Sequence, residues 1–400
     1  VLGRGGTVDT LGRMVMGTSG PITIEPGNEW KILNAALAKV VGYSANMEEI
    51  LASIVVNADE FVDELLQELK KGVNVDPSPL VKSSSLGMII QRTLGISLND
   101  FGTRLAEKIN IPEFNYRTYL DAVRMALITH MIPSQMGMNI VLPGGRQAVD
   151  ILGKFTKAYI DIAKDLAASS TTPNLVSILA QKGITEEEQL ASIVNQLIAA
   201  GHETTAGVLT VGLRELFNKP EVLNKIWEEI RNLNFNSVDI HNSFRILENS
   251  ELGRFLLELL RLYPATPIIP LSVNKDMILG GYSLSLGTEI QINLIALHTN
   301  NAQWGQEAHE LKPDRWITGE STKGQSVAAR LKRDGIFLPF WAGPRSCVGE
   351  NFAIAEPYIT LGKIIKSVFE TGAKISVMSQ GIIETSTGTS NLVGFELRIT

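Results

Sequence analysis

Apolar residues recur at steps of three and four over much of the chain, a spacing that places them on one face of an α-helix. This spacing predicts helices at 29–41, 47–72 and 145–168. The second stretch ends in two lysines and a glycine, a typical helix stop. The first half of the chain is therefore predicted to be mainly helical.

The longest predicted helix begins with a capping box at 185–188 and ends at Lys219, because Pro220 follows. At about 1.5 Å per residue it is about 50 Å long. Its middle, 193–213, is apolar on nearly every side. We therefore expect this helix to cross the interior of the fold.

Strand signals are few and lie in the second half of the chain. Apolar and polar residues alternate around glycines at 277–297, and the tail at 373–400 has the pattern of two or three further short strands. No internal repeat or linker divides the sequence. The prediction is one domain over residues 1–400, mainly α with small β regions, built around the long central helix.

Composition narrows the possible functions. The net charge of -6 argues against nucleic acid as a partner, because phosphate binding needs a basic surface. The only cysteine, Cys347, excludes intramolecular disulfides, zinc sites made of thiolates alone and two-cysteine redox motifs. What is left for Cys347 is a core thiol, a nucleophile or a single metal ligand.

The surroundings of Cys347 favour a metal ligand. A helical pattern at 348–369 follows it, so the sulfur lies near the free N–H groups of a helix N-terminus, which favour a thiolate. Gly343 and Gly349 would let the backbone pass close to a large flat ligand, and Arg345 could bind an anionic group on it. Haem has such a plane, an iron and carboxylates.

A ten-residue pattern around Cys347 resembles a known signature. It has the spacing F-x-x-G-x-R-x-C-x-G from Phe340 to Gly349, and it is similar to the haem-binding signature of the cytochrome P-450 superfamily. Three further segments resemble elements of that family in the same order: AGHETT at 200–205, ELLR at 258–261 and PDRW at 313–316. The resemblance runs from Trp30 to the end and is closest to the microsomal and fatty-acid-hydroxylase type.

The resemblance implies haem b (iron protoporphyrin IX), bound through a thiolate. The residues that it places at the cofactor are Cys347, the metal ligand, and Arg345, Trp30, Phe340, Gly343 and Gly349. Trp30 and Arg345 would bind the propionates. Because Asn34 stands where the family usually has a basic residue, Lys31 and Arg13 are further candidates for that role.

Glu258 and Arg261 are spaced to pair on one helix face. Their neighbours are too apolar for an exposed face, and a buried pair needs further partners. The resemblance supplies Arg315 as the third member, with a structural role.

Gly201 lies in the middle of the long helix, where glycine costs about 1 kcal/mol relative to alanine. The resemblance explains it as part of an oxygen-activating stretch in which Glu203 and Thr204 are catalytic and deliver protons. The alternative for Thr204 is a hydroxyl bonded to a backbone carbonyl one turn back. His202 is interpreted as structural, because no second histidine completes a zinc motif.

The resemblance implies a haem-thiolate monooxygenase. Such an enzyme inserts one oxygen atom from O2 into a lipophilic substrate, by hydroxylation or epoxidation. Electrons would come from a separate flavoprotein or ferredoxin-type reductase, or from a domain absent from this sequence, because the chain has neither a flavin-binding stretch nor an iron–sulfur cysteine cluster. The alternatives are an isomerase or dehydratase of the same fold that needs no external electrons, and a non-catalytic haem sensor. The Glu203–Thr204 pair favours the monooxygenase.

Similarity to self-sufficient fatty-acid hydroxylases of the family also implies a substrate pocket. The pocket residues that it indicates are Ile22, Thr23, Ala199, Ala200, Thr266, Ile268 and Ile269. None of these side chains carries a charge, so a buried ionised group on a substrate would lack a partner. We therefore expect lipophilic substrates such as fatty acids, terpenoids or polyketide-like compounds.

Two expectations concern partners and location. The basic residues Lys323, Arg330, Lys332 and Arg333 are predicted to attract an acidic reductase, or else to be a solvated loop. Trp30 lies early for the family, so we expect a missing N-terminal part with the first helix, the first strands and any membrane anchor. With an anchor the protein would associate with the endoplasmic reticulum membrane, and without one it would be cytoplasmic.

Overall fold

The computed structural model describes residues 2–4, 19–24, 27–42, 47–109, 118, 121–122, 125–126, 143–169, 173–235, 247–317, 326–386 and 389–400. The α-helices in these ranges are α1 (Asn28–Val40), α2 (Met47–Leu69), α3 (Ser78–Leu94), α4 (Leu98–Ile109), α5 (Gly145–Ser169), α6 (Leu175–Ala180), α7 (Glu187–Asn218), α8 (Pro220–Ile230), α9 (Glu251–Leu262), α10 (Leu294–His298), α11 (Asn301–Trp304), α12 (Val327–Arg333) and α13 (Glu350–Thr371). The strands are β1 (Leu2–Arg4), β2 (Ile268–Val273), β3 (Met277–Leu279), β4 (Tyr282–Leu284), β5 (Glu289–Asn293), β6 (Ile375–Ser386) and β7 (Thr389–Ile399). Two 3-10 helices lie at Pro313–Trp316 and Gly343–Arg345.

The chain divides into two compact units. The first unit comprises Val1–Val40, Ile89–Ala200 and Ile269–Ile292, and the second comprises Val41–Met88, Gly201–Ile268 and Asn293–Thr400. The long helix α7 contributes residues to both. The expectation of a single domain over residues 1–400 stays a prediction.

The first unit is built on packed helices and a small sheet. In it α4 and α6 pack against α5, and α1 packs against α6. The ring of Phe101 meets those of Phe155 and Tyr159 edge-on, at centroid distances of 5.8 and 5.9 Å. Strands β1, β2 and β5 form a sheet in that order, and β1 and β2 are antiparallel with Leu2 opposite Val273.

The second unit holds a large apolar core around α13. Helices α2, α8 and α9 pack against α13, and α2 also contacts β7. Burying apolar side chains on several helices at once is the main favourable term in folding. Ile54, Leu256 and Ile359 are fully buried there. Strands β6 and β7 form a long antiparallel hairpin with a register shift between Val377 and Ser379.

The predicted helices are confirmed, and the strands differ in detail. The long helix extends from Glu187 to Asn218, close to its predicted ends. The tail forms two long strands, not several short ones, and residues 294–297 are helical because α10 begins at Leu294. Strand β2 was not predicted. Its exposure along the chain does not alternate regularly, so it lacks the pattern by which an isolated sequence shows a strand.

Candidate haem-thiolate site

Cys347 lies in a loop that is closed by hydrogen bonds between backbone groups of the loop itself. The Cys347 N–H donates to the Phe340 carbonyl at 2.9 Å, and the Ser346 N–H donates to Gly343 at 3.1 Å. Two residues of the loop have positive φ, Trp341 at 62° and Gly343 at 73°. A positive φ is uncommon for a bulky residue such as tryptophan, so surrounding structure must hold Trp341 in place. The loop thus presents Cys347 just before α13.

The Cys347 side chain is exposed. Desolvation nevertheless raises the pKa of the thiol to about 11. A hydrogen bond from the Gly349 backbone N–H lowers the pKa, Glu350 raises it, and Lys332 lowers it. A metal ion bound at the sulfur would displace the proton of this thiol, because the thiolate is the ligand.

Gly349 and Arg345 lie where the sequence places them, at the two ends of the Cys347 turn. Gly349 is the residue before α13, and a Cβ added there would lie 4.0 Å from the Cys347 sulfur. Arg345 ends the 3-10 helix Gly343–Arg345 and is half-buried. Phe340 is buried, with 8% of its surface exposed. These residues therefore belong to the same loop as the thiol, in the second unit.

Glu258 and Arg261 form a fully buried ion pair on α9. The Arg261 Nε and Nη2 atoms donate to the two Glu258 oxygens at 2.8 and 2.7 Å. Arg315 Nε donates to Glu258 Oε1 at 3.2 Å, which brings the predicted triad together. Trp316 Nε1 donates to Glu258 Oε2 at 2.9 Å, so each oxygen of the carboxylate accepts at least two hydrogen bonds. This is the arrangement that a buried charge requires.

The remaining donors of Arg261 bind the chain on either side of α11. Nη1 donates to the carbonyls of His298 and Ala308 at 2.7 and 2.5 Å, and Nη2 to that of Glu310 at 3.0 Å. The guanidinium also lies over the Trp304 ring, 5.0 Å from its centroid. The pair thereby fixes the segment that leads to Arg315.

His298 connects the ion pair to the Cys347 loop. The Leu338 N–H donates to His298 Nε2 at 2.9 Å, so the proton is on Nδ1, which donates to the Arg261 carbonyl at 3.2 Å. Burial lowers the pKa of His298 to about 4, so the ring stays neutral. Its contact with Leu338 depends on a residue forty positions away and leaves no local signal.

A second contact that the sequence did not reveal is an ion pair beside Cys347. The Lys332 ammonium bonds both oxygens of Glu350, at 2.8 and 2.6 Å. About a quarter of the Lys332 side chain is exposed, 24%. The predicted partner-binding lysine is thus already paired within the protein. Arg330 and Arg333 are exposed, and Arg333 Nε lies 3.5 Å from Asp334 Oδ1. Lys323 lies outside the described residues.

The middle of α7 is open at the predicted oxygen-activating stretch. Ala200 is exposed, and Gly201, Glu203 and Thr204 are half-buried, although the helix on either side is mostly buried. Thr205 donates to the Gly201 or His202 carbonyl at 3.2 or 3.3 Å, so the back-bonded hydroxyl predicted as an alternative for Thr204 occurs at its neighbour. His202 is buried, in keeping with a structural role.

Several predicted residues lie in the first unit. Trp30 is half-buried on α1, Lys31 is exposed, and Arg13 lies outside the described residues. The predicted pocket residues of the unit differ in exposure: Ile22 is 38% exposed, whereas Thr23, Ala199 and Ile269 are 1%, 8% and 4% exposed. In the second unit Thr266 is half-buried and Ile268 is 42% exposed.

Two features are absent from the residues that the structure describes. These residues contain no group of three or more His, Cys, Asp or Glu side chains placed to hold a metal ion. None of their helices combines the length and the apolar character of a membrane span.

Comparison with known proteins identifies the family. The cytochrome P450 family model matches residues 6–371. The chain is 30% identical over 237 residues to the human steroid 17-alpha-hydroxylase/17,20 lyase, an alignment that covers 54% of this chain and 44% of that enzyme. It is 25% identical over 386 residues to mouse cytochrome P450 3A11, covering 91% of this chain and 73% of that protein.

A bacterial relative joins two functions in one chain. The bifunctional cytochrome P450/NADPH–P450 reductase 2 of Bacillus subtilis is 30% identical over 183 residues, which cover 45% of this chain and 16% of that protein. The matched part of the chain spans about half the length, or less, of several curated relatives, with 51%, 30% and 44% of three of them.

Proposed function

The chain belongs to the cytochrome P450 family, and we propose that it is a haem-thiolate monooxygenase that oxidises a lipophilic substrate. In this reaction one atom of O2 enters the substrate and the other leaves as water, which consumes two electrons and two protons. The observation that carries the proposal is the exposed thiol of Cys347, the only cysteine, in a closed loop at the start of α13.

The residues around Cys347 fit the cofactor of the family, which is haem b held by a cysteine thiolate. The thiol is exposed and accepts a hydrogen bond from the Gly349 N–H, which offsets part of the rise in its pKa that desolvation causes. Gly343 has no atom within 4 Å of the position of an added Cβ, so the loop leaves open space at this residue. We assign Cys347 as the iron ligand, with Arg345 and Trp30 as propionate-binding residues.

Haem, when bound, supplies the oxygen chemistry, and an axial thiolate favours cleavage of the O–O bond. The protein holds that thiolate in position. The Phe340 carbonyl fixes the Cys347 backbone, and His298 fixes Leu338 in the same loop. His298 also bonds the Arg261 carbonyl. The Glu258–Arg261–Arg315 triad therefore stabilises the Cys347 loop through His298.

Glu203 and Thr204 are assigned to proton delivery. Both residues are half-buried on α7, so each is partly accessible to water. An acid that exchanges protons with water and a hydroxyl that passes them on can supply the two protons that the reaction consumes. Gly201 and Ala200 leave room beside them because neither has a large side chain.

The proposed substrate is a molecule with a hydrocarbon segment. The pocket residues assigned to it carry no charge, and desolvating a charged group without a partner is expensive. A fatty acid, terpenoid or polyketide-like compound would meet this condition with its polar group kept at the entrance. The human relative named as a steroid hydroxylase acts on a lipophilic class as well.

We propose that a separate reductase delivers the electrons near α12. Arg330 is exposed and the Arg333 side chain is 70% exposed, so both can contact an acidic partner. Lys332 bonds Glu350 and acts electrostatically on Cys347, so α12 lies close to the thiol. The bacterial relative, whose name includes an NADPH–P450 reductase, supports a flavoprotein donor.

Turnover under labelled dioxygen tests the proposal. The holoprotein is supplied with NADPH, an NADPH–P450 reductase and a panel of long-chain acids, apolar ring compounds and small hydrophilic compounds under ¹⁸O₂. We expect one labelled oxygen atom per product molecule, from the lipophilic compounds only, and no product without the reductase. Product that forms without NADPH would identify an isomerase or dehydratase and overturn the proposal, as would the absence of any labelled product.

A further inference from the structure

Segment 19–24, which contains two of the predicted pocket residues, is bound to α7 by a buried glutamine. The Ile22 N–H donates to Gln196 Oε1 at 2.7 Å, and Gln196 Nε2 donates to Thr23 Oγ1 at 2.7 Å. Gln196 is fully buried and Thr23 is 1% exposed. Both functions of one side-chain amide, the acceptor and the donor, are therefore used on two successive residues of this segment.

The segment is folded to fit this amide. The N–H groups of Thr23 and Ile24 donate to the Gly20 carbonyl at 3.1 and 2.9 Å, and the Gly20 N–H donates to Thr23 Oγ1 at 3.3 Å. A Cβ on Gly20 would lie 2.3 Å from Gln196 Cδ, so only glycine lets the turn approach this closely.

A second polar residue of α7 binds the same segment. The Ser19 N–H donates to Ser192 Oγ at 3.4 Å. Ser192 and Gln196 are four residues apart and so lie on one face of the helix. Their neighbours Ile193, Val194 and Leu197 are buried apolar residues. A fully buried amide in such surroundings is costly unless it is hydrogen-bonded, so this face of α7 is built to hold segment 19–24.

The bonds control what the segment exposes. Thr23 is buried against α7, whereas 38% of the Ile22 side chain stays exposed. Ala199 and Ala200 follow Gln196 by three and four residues and so lie on the same side of the helix. Ala200 is exposed. The glutamine thus holds the Ile22 backbone against the part of α7 that leads to Ala199 and Ala200, within the first unit.

We propose that Gln196 is a positioning residue, which holds the Ile22 backbone against α7 and thereby determines which carbon of the substrate is oxidised. This inference rests on the proposed function. An apolar side chain at the reacting end of a substrate acts by excluding some orientations. If Ile22 can move, orientations that it excludes in the wild type become available.

The variants separate the two bonds of the amide. Gln196→Leu removes both, and Thr23→Val keeps the shape of the side chain and the bond of the Ile22 N–H to Oε1 but removes the bonds of Thr23 Oγ1 to Gln196 Nε2 and to the Gly20 N–H. The matched control is Asn195→Leu on the adjacent position of α7. Asn195 accepts from Thr156 on α5 at 2.5 Å and does not contact segment 19–24 through that bond. The control therefore loses a side-chain amide of the same helix, but one that bonds α5 and not segment 19–24.

Two measurements are made on the holoproteins of the wild type and the three variants. Hydrogen exchange of peptides covering residues 19–24 reports the bonds directly, because the Ile22 amide is one of the donors. We expect exchange to become faster by about tenfold in Gln196→Leu, the effect of a lost hydrogen bond, and to stay unchanged in Asn195→Leu. The second measurement is the ratio of positional isomers formed from dodecanoic acid with NADPH and a reductase.

We expect the isomer ratio to change by at least about threefold in Gln196→Leu and in the milder Thr23→Val, with no change in Asn195→Leu. Unchanged exchange in Gln196→Leu would overturn the anchoring role. Faster exchange with a wild-type isomer ratio would show a purely structural residue and would overturn the proposal too. If the wild type formed no oxidised product from any compound while exchange rose as expected, the proposed function would have failed, and the specificity role with it.

Discussion

Replacing Glu356 with glutamine should remove a large pH dependence of stability. Glu356 lies on α13 and is fully buried. Its Oε1 accepts a hydrogen bond from Ser85, and Thr205 also bonds the carboxyl group. Among the described residues no lysine or arginine forms an ion pair with it. A buried carboxyl group with only hydroxyl partners favours the neutral form.

The magnitude follows from the shift in pKa. Burial raises the pKa of Glu356 from the usual value of 4.5 to about 8, and the hydroxyl groups of Ser85 and Thr205 offset part of that rise. The pKa of Glu356 is higher in the folded state than in the unfolded state. Its contribution to the free energy of unfolding is therefore fully present below pH 4.5 and is lost as the pH rises to about 8. At about 1.4 kcal/mol per pKa unit, the loss across this window is about 5 kcal/mol.

The assay is denaturant unfolding of the wild type and Glu356→Gln at several pH values between 4 and about 9. A neutral amide cannot titrate, so the variant should lack this loss, and the difference between the two proteins should grow in favour of the variant as the pH rises. Glu60→Gln, which removes an exposed carboxylate from α2, is the control and should follow the wild type. Parallel curves for the wild type and Glu356→Gln would refute a neutral, buried carboxyl group at this position.

Three further predictions concern the triad, proton delivery and electron delivery. Arg261→Met leaves a buried carboxylate without its main partner and should cost about 3–5 kcal/mol of unfolding free energy, whereas the exposed Arg231→Met should cost at most about 1 kcal/mol; equal losses would contradict the triad's role. Thr204→Ala should still bind substrate but release a larger share of the consumed electrons as peroxide or water, and an unchanged yield of product per NADPH would count against it. Reversing the charge of Arg330 and Arg333 together should slow reduction by the reductase severalfold at low salt and little at high salt, and a salt-independent rate would argue against docking at α12.

The sequence predicts those parts of the fold that local patterns determine. The apolar spacing of α2 and α7 is typical of packed helices, and both lie where that spacing predicts them. Glu258 and Arg261 are i, i+3 neighbours, so their pairing could be predicted from spacing alone. Cys347 could be identified because a lone thiol between glycines and an arginine is unusual in a chain of this length.

The contacts that link distant segments could not be predicted in this way. His298 meets Leu338, and Gln196 meets Ile22, only after the chain has folded. Neither contact produces a periodic pattern or a motif in the sequence, because each depends on packing between elements. Lys332 shows the consequence: its sequence context suggests a free surface charge, yet it bonds Glu350 beside the thiol.

The carbon monoxide difference spectrum of the reduced protein tests the central claim most directly, because the position of the absorption band depends on the axial ligand of the haem. The wild type should show the red-shifted band of a thiolate-ligated haem. Ser346→Ala, a change at the adjacent residue, should keep this band, and Cys347→Ser should lose it because the chain has no other cysteine. A Cys347→Ser protein that binds haem and retains the red-shifted band would contradict the assignment of Cys347 as the iron ligand.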